Sequence, residues 1–192
     1  MMSTALIFLS EGCEETEAVT TIDLLTRAGI AVTYASITEN PAVLCSRGVV
    51  ILAQKTMSQV KEQLFDVVIL PGGVKGAENF RDSPSVIEKL KQTQQANKLV
   101  AAICATPAMV LQHHNLFPDA YMTGYPTTKS AFRLWRDERV YYDKPNQIIT
   151  SQGPATSIDF ALKIIEVLLG KSTAAEVASG LVLPNGILNY TD

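Results

Sequence analysis

The stretch VAAICATPAMV, residues 100–110, places one of the chain's three cysteines between small apolar residues and a Thr-Pro pair. The apolar run predicts a buried strand that ends at Cys104, and Pro107 predicts a helix that begins directly after it. This is the layout of a nucleophile elbow, a sharp strand-to-helix turn that lifts one side chain clear of a sheet. A lone cysteine is either a small core residue or a reagent, and this context favours the reagent.

A reactive Cys104 needs help to ionise. Lowering a thiol pKa from ~8.5 to ~5.5 takes about 4 kcal/mol, whereas a helix N-terminus contributes ~0.3–1 and at most ~2 kcal/mol. Glu14 and Glu17 lie three residues apart on one face of a predicted helix. An ionised Glu17 would oppose a thiolate, but a protonated Glu17 would donate a hydrogen bond to it. We therefore predict that Glu17 has a raised pKa and shares its proton with Cys104. Acidic residues such as Glu14 also suit a helix N-terminus in their own right.

Gly72 and Gly73 follow a strong predicted strand, DVVIL at residues 66–70. Glycines at such a position allow backbone N–H groups to approach a ligand closely, as an oxyanion hole requires, and a plain tight turn is the alternative. The segment GGVKG lacks the glycine order and the lysine placement of the phosphate-binding loops, which argues against nucleotide binding.

The elements that must position these residues alternate between strands and helices. Strands are predicted at residues 5–9, 31–36, 49–52, 66–70, 99–103, 121–123 and 148–151, and helices at about 18–28, 84–96, 106–112 and 155–169, with Ser172 capping a last short helix. The pattern predicts one α/β domain over residues 1–192, with a mostly parallel sheet covered on both faces. The segment 31–52 fits less well and is expected to hold a hairpin or an edge excursion.

Ligands of such sheets bind beyond the carboxyl ends of the strands, which here gather residues 10–14, 71–76, 104–107, 124–127 and 152–156. Cys13 is in this group, as a candidate resolving thiol or a spare thiol. Cys45 is outside it and is expected near a dimer contact. His113 and His114 end the helix after Cys104, where histidines favour a helix C-terminus.

Composition narrows the class of protein. The 192 residues are 47% hydrophobic and 18% charged, with a net charge of −3, so a sizeable core is expected and a basic nucleic-acid-binding surface is not. The N-terminal apolar run is too short for a signal sequence or a membrane span. We expect a cytoplasmic protein without a disulfide framework or a zinc site.

Several segments of the sequence, in order and over nearly the whole chain, resemble the ThiJ/PfpI superfamily of class I glutamine amidotransferase-like proteins. They are EETEAVTTIDLLTRAGI, CSRGV, DVVILPGG, GAENF, AAICATPA and TSQGPATSIDFALKIIEVLLG. The nearest branch is that of the parkinsonism-associated protein deglycase and bacterial YajL. The resemblance implies a flavodoxin-like three-layer α/β sandwich, usually a homodimer, with no cofactor and no metal.

The resemblance also implies roles for individual residues. Cys104 matches the reactive cysteine, Glu17 its acidic partner, and Gly73 and Ala105 the backbone donors of an oxyanion hole. The implied substrate-binding residues are Glu14, Gly72, Tyr125 and Pro126. Arg27 and Arg47 are implied to present cations to an active site across a dimer contact.

One departure concerns Tyr125, because many superfamily members carry a histidine in the segment that corresponds to TGYPT. YajL-like members also lack it. A Cys-His hydrolytic pair is therefore not expected, and Glu17 must serve as the acid and base.

The implied activity is glutathione-independent glyoxalase or protein deglycase chemistry on methylglyoxal, related carbonyls, and glycated proteins or thiols, with nucleic acid only as a glycated substrate. One alternative is a redox-sensing thiol protein with holdase chaperone activity. Another is a role in thiazole phosphate metabolism, as the ThiJ name suggests.

Overall fold

The computed structural model describes residues 2–183, so residue 1 and residues 184–192 of the predicted domain lie outside the described part of the chain. Its strands are β1 (Thr4–Leu9), β2 (Ala31–Ser36), β3 (Ala42–Leu44), β4 (Val50–Leu52), β5 (Lys55–Thr56), β6 (Val67–Leu70), β7 (Leu99–Ile103), β8 (Val140–Asp143) and β9 (Ile148–Ser151). Its α-helices are α1 (Glu15–Arg27), α2 (Met57–Val60), α3 (Val74–Arg81), α4 (Pro84–Gln95), α5 (Ser157–Leu169) and α6 (Lys171–Ser179).

A seven-stranded sheet in the order β5-β2-β1-β6-β7-β9-β8 forms the centre of the molecule. All its neighbouring strands run parallel except β8, which is antiparallel to β9. From β1 the chain steps to β2 on one side and later to β6 and β7 on the other. Right-handed crossovers in opposite directions place helices on opposite faces, so α1 and α5 pack together on one face and α4 covers the other. The predicted three-layer α/β fold is confirmed.

The central strands are apolar because both faces of the sheet are covered. Every residue of β6, β7 and β9 is buried, and so is all of β1 except its first residue. The helix at α1 ends as predicted, with Ala28 as its C-cap and Gly29 at φ +78°. None of the described helices is both long enough and apolar enough to span a bilayer.

The excursion expected within residues 31–52 is an antiparallel hairpin of β3 and β4, separate from the main sheet. Val43 is buried against the core, whereas Leu44, Val50 and Leu52 are 50%, 62% and 68% exposed. The side chains of β3 and β4 therefore alternate between the core and the surface, as strands with one covered face do.

Two predicted elements are wrong. Residues 121–123 form no strand, since Met122 makes only an isolated bridge to Trp135. Ser172 does not cap the last helix, because α6 already begins at Lys171 with Gly170 as its N-cap. The sequence reading also missed α2, α3, β5 and β8, which are short or lack strong periodicity.

Three residues separate the end of β6 from the start of helix α3, which packs against the loop that leads into α1. The Gly76 N–H donates a hydrogen bond of 3.2 Å to the Gly12 carbonyl. A Cβ atom at Gly76 would lie 2.6 Å from the Cys13 Cα and 2.8 Å from its nitrogen. Glycine at this position thus lets α3 support the backbone from which α1 begins.

We predict that Gly76→Ala destabilises the fold by about 1–3 kcal/mol, the usual cost of overpacking. Alanine would otherwise favour a helix over glycine by about 1 kcal/mol, so a destabilising result identifies the contact with Cys13 as the cause. Chemical denaturation measures the difference. Gly180→Ala is the control, since its Cβ would meet nothing closer than the Val177 carbonyl at 3.6 Å. Equal stabilities for the two variants would contradict the account.

Candidate active site

Cys104 occupies the predicted elbow. It follows the last residue of β7 and has φ +64°, in the left-handed region that costs a residue with a side chain roughly 1–2 kcal/mol. Backbone hydrogen bonds fix the turn: the Cys104 N–H donates to the Ser151 carbonyl at 2.9 Å, and the Tyr125 N–H donates to the Cys104 carbonyl at 2.8 Å. The strained conformation is therefore held from both sides, by the last residue of β9 and by the segment around Tyr125.

The buried side chain of Thr106 stabilises the elbow through hydrogen bonds to the ends of two strands. Its hydroxyl is buried and lies 2.8 Å from the Ile103 carbonyl and 3.2 Å from the Leu70 carbonyl, the last residues of β7 and β6. A wide, π-helical turn at Pro107–Gln112 follows, in place of the ordinary helix that was expected. Such turns are frequent at functional sites.

Glu17 lies beside Cys104 and is fully buried, with 0% exposure. Its Oε2 accepts a hydrogen bond of 2.6 Å from the Gly72 N–H, and its Oε1 has no hydrogen-bond partner among the described residues. A Cβ atom at Gly72 would meet the Cys104 Cβ at 2.5 Å and Glu17 Oε2 at 2.8 Å. Gly72 is thus glycine because the carboxyl and the cysteine both occupy the space beside it.

The pKa of Glu17 is raised to about 7, first because burial penalises the carboxylate. The charge of Glu14 raises it further, while the Gly72 N–H and the Cys104 thiol lower it. A raised pKa of the Glu17 carboxyl agrees with the prediction that this group can hold a proton near neutral pH.

The Cys104 thiol has a pKa raised to about 12, chiefly by burial and then by the negative charge of Glu17. The expectation of a low thiol pKa is therefore wrong for the state in which Glu17 is ionised. The N–H groups of Gly73 and Ala105 act in the opposite direction and lower the pKa. We propose that the two side chains together hold one negative charge, so that Cys104 is a thiol or a thiolate according to where the shared proton lies.

The surroundings favour the charge on sulfur. Two backbone N–H groups, those of Gly73 and Ala105, point toward the thiol, whereas the Glu17 carboxyl receives only the Gly72 N–H. Cys104 is also 8% exposed at a cavity wall, while Glu17 is 0% exposed. Because an anion is most stable where donors and solvent reach it, we propose that the proton lies on Glu17 and the charge on Cys104.

Glu14 is the N-cap residue of α1. Its side chain accepts a hydrogen bond of 2.8 Å from the Glu17 N–H, so it fixes the first turn of the helix that carries Glu17. Glu15 reaches in another direction and accepts hydrogen bonds from Ser46 Oγ and the Arg47 N–H, both at 2.8 Å. These bonds lower the pKa of Glu15 against the opposing effect of its burial.

A cavity of about 650 Å³ opens above Cys104. Of the predicted site residues, those lining it are Glu14, Arg47, Gly73, Cys104, Ala105 and Tyr125. Gly72 and Pro126 are not among the lining residues, and Gly72 acts instead as the donor to Glu17. Lys75, Thr127 and Pro154 also line it and lie in segments that were predicted to converge at this edge, whereas Leu44, Ser46, Met109 and Thr128 were missed.

The placement of one remaining candidate differs from expectation. Cys45 was expected away from the strand ends, but the β3–β4 hairpin folds over that edge and places it in the cavity wall. Arg27 pairs with Asp23 on the exposed side of α1 and does not line the cavity of its own chain, and its role across a dimer contact stays a prediction. His114 Nε2 lies 2.8 Å from the Arg81 carbonyl, at the end of the helical segment where it was predicted. Within residues 2–183 no three His, Cys, Asp or Glu side chains are arranged to hold a metal ion.

We predict that Glu17→Gln raises the titration midpoint of the Cys104 thiol by about 0.5–1 pKa unit. An amide keeps the shape of the carboxyl but is a weaker donor than a carboxylic acid, and a difference of about 1 kcal/mol corresponds to roughly 0.7 of a unit. Ultraviolet absorbance of the thiolate against pH measures the midpoint.

The matched control is Glu11→Gln, which removes an equal charge from an exposed residue of the same cavity. A lower midpoint in Glu17→Gln would mean that the carboxylate, and not the thiolate, carries the charge in the parent protein. An unchanged midpoint would mean that the two groups are not coupled.

Comparisons with known proteins agree on the family. Residues 3–167 match the DJ-1/PfpI family. The chain is 41% identical over 187 residues to protein dj-1beta of Drosophila melanogaster, covering 95% of this chain and 98% of that one. It is 39% identical over 183 residues to the Parkinson disease protein 7 homolog of Danio rerio, covering 93% and 96%. It is also 34% identical over 183 residues to the glutathione-independent glyoxalase DJR-1.2 of Caenorhabditis elegans, again covering 93% and 96%.

Solved structures show the same relationship. The crystal structure of Drosophila melanogaster DJ-1beta superposes with a TM-score of 0.91 at 40% identity, covering 96% of this chain and 100% of that one. The structure of oxidized Toxoplasma gondii DJ-1 gives a TM-score of 0.91 at 41% identity, covering 93% and 97%. The elbow cysteine, the buried glutamate beside it and these matches over nearly the whole length lead to one conclusion: the chain belongs to the DJ-1/PfpI family.

Proposed function

We propose that the protein is a cofactor-independent enzyme that converts reactive carbonyls such as methylglyoxal to hydroxy acids, with Cys104 as nucleophile. The observation that carries the proposal is the placement of Cys104 at the wall of a cavity, between the buried Glu17 carboxyl and the N–H groups of Gly73 and Ala105. The glyoxalase named among the relatives supports the same class of substrate.

The chemistry begins with attack of the Cys104 thiolate on the aldehyde carbon, which forms a C–S bond and an alkoxide. The Gly73 and Ala105 N–H groups stabilise the oxyanion, and the proton held by Glu17 neutralises it. The resulting Glu17 carboxylate then removes a proton from the former aldehyde carbon and returns it to the neighbouring ketone carbon, while the hydroxyl proton of the first carbon passes to the ketone oxygen.

This transfer oxidises the first carbon to a thioester and reduces the second to an alcohol. No external electron acceptor is needed, because both changes occur within one substrate. Water then cleaves the thioester, which releases lactate and restores the thiol. The same attack on a glycated thiol or amine, present as a hemithioacetal or aminocarbinol, would free the adducted group.

The cavity is large for methylglyoxal alone. Its volume of about 650 Å³ leaves room for the rest of a glycated side chain or peptide. Arg47 and Lys75 are among the residues that line it. This supports glycated proteins and thiols as substrates in addition to the free dicarbonyl. A cytoplasmic location and a role in carbonyl stress are part of the proposal.

We predict that the protein consumes many equivalents of methylglyoxal per site without glutathione, and that Cys104→Ser reduces this rate by at least about 10³-fold, the scale of losing a catalytic nucleophile. Lactate formation measured over time checks the prediction. Cys13→Ala serves as the control, because Cys13 is buried and does not line the cavity, and it should keep the parent rate.

At most one equivalent consumed per site would overturn the catalytic proposal. It would favour the second candidate, a redox-sensing thiol with holdase activity, in which a peroxide oxidises Cys104 to a sulfenic or sulfinic acid. This second candidate is supported by the solved structure of oxidized Toxoplasma gondii DJ-1, a relative of this chain. The thiazole phosphate alternative stays a prediction that direct binding of such a phosphate would test.

We also propose that the protein is a homodimer that buries the outer face of the β3–β4 hairpin. Leu44 and Val50 are paired across the hairpin and Leu52 follows on the same side, so three apolar side chains at least half exposed lie together. Burial of this face against a second copy would remove it from water.

Sedimentation velocity should therefore give a dimer for the parent protein, and Val50→Lys should shift it toward the monomer, because an ammonium group would be placed in an apolar contact. Leu64→Lys is the matched control, since Leu64 is 57% exposed and lies outside the hairpin. A monomeric parent protein, or a dimer that withstands the lysine at position 50, would exclude this face as the interface.

A further inference from the structure

Two buried thiols that the proposed catalysis does not use lie next to one another. Cys13 and Cys45 are 0% and 4% exposed, and their Sγ atoms are 3.8 Å apart. Both are free cysteines. The loop after β1 carries Cys13, and the end of β3 is followed directly by Cys45, so the pair joins two elements that are distant in sequence.

The backbone already holds the two segments side by side. The Gly12 N–H donates to the Leu44 carbonyl at 2.8 Å, and the Ser46 N–H donates to the Cys13 carbonyl at 2.8 Å. The two Sγ atoms, 3.8 Å apart, therefore need to approach each other by only about 1.8 Å to reach the length of an S–S bond.

We propose that Cys13 and Cys45 are an oxidative modification site, at which a hydroperoxide converts the two thiols to an intramolecular disulfide. In the first step one sulfur attacks the peroxide, its S–H proton is released, and a sulfenic acid and an alcohol or water are formed. In the second step the other thiol attacks that sulfur, which forms the S–S bond and releases water. Two thiols are oxidised, and one peroxide bond is reduced.

The surroundings assign an order to the steps. Cys45 lines the same cavity as Cys104, so a small peroxide that reaches the elbow also reaches Cys45. Burial raises the pKa of both thiols, that of Cys13 to about 12, and at Cys45 the hydrogen bond from Cys13 opposes the rise. Because Cys45 lines the cavity and Cys13 does not, Cys45 is the thiol that attacks the peroxide, and Cys13 is the one that attacks the resulting sulfenic acid.

The disulfide would have a structural consequence for the cavity. It would join the loop before α1, where Glu14 is the N-cap, to the turn that carries Ser46 and Arg47. Glu15 already ties this turn to α1 by its bonds to Ser46 and Arg47. Oxidation would thus convert a hydrogen-bonded wall of the cavity into a covalent one, independently of whether Cys104 catalyses a reaction.

The test uses the full-length Cys104→Ser protein, in which Cys13 and Cys45 are the two remaining thiols. After treatment with hydrogen peroxide we expect loss of both titratable thiols, a fall in intact mass by two hydrogens, and recovery of both thiols with dithiothreitol. A non-reducing peptide map should contain one linked pair of peptides, which carries residues 13 and 45. The unfolding temperature of the oxidised protein should exceed that of the reduced protein.

Control variants distinguish a disulfide between Cys13 and Cys45 from other oxidation products. Cys13→Ala in the Cys104→Ser background removes the resolving thiol, so Cys45 should gain oxygen and no hydrogen-loss species should form. Three results with the Cys104→Ser protein would each overturn the proposal: two free thiols after oxidation, oxygen added to a single thiol, or a link between two chains on a non-reducing gel. The Cys104→Ser protein alone decides the matter if the double variant does not fold.

Discussion

The site depends on a single constraint: two acidic side chains are packed together where only one negative charge is tolerated. Glu17 is removed from water completely, and Cys104 nearly so. Burial raises both pKa values, and the charge of an ionised Glu17 raises that of Cys104 further. We propose that one proton is shared between the carboxyl and the thiol, which is the condition for a nucleophile whose general acid is already in place.

The fold supplies this condition through backbone geometry more than through side chains. Strands β1, β6 and β7 are neighbours, so the loops after them meet at one edge of the sheet. The first of these loops leads into α1 and Glu17, the second supplies Gly72 and Gly73, and the third is the elbow. Because N–H groups of the second and third loops point at the carboxyl and the sulfur, the charge is stabilised by fixed dipoles that need no reorganisation during a reaction.

Much of this arrangement is predictable from sequence, because it depends on local patterns. Fully apolar runs identify β1, β6 and β7, and the small residues followed by Pro107 identify the elbow. The contact of Cys13 with Cys45 was not predictable, since it depends on a hairpin that folds back over the sheet edge. Strand β8 and helix α3 were missed because tertiary packing, and not a strong period in the sequence, defines them. Burial raises the pKa of the Cys104 thiol, and burial cannot be read from residue spacing. The pKa expected from the sequence was therefore too low.

The most direct test of the shared proton is the ionisation state of the Glu17 carboxyl itself. Carbon-13 NMR of protein labelled at glutamate carboxyl carbons, with Glu17→Gln to assign the signal, reports whether that group is protonated at neutral pH. The account predicts a protonated Glu17 while Cys104 is a thiolate, and loss of that proton when the thiol is alkylated to a neutral thioether. A Glu17 that is ionised at neutral pH beside a protonated Cys104 thiol would contradict the account.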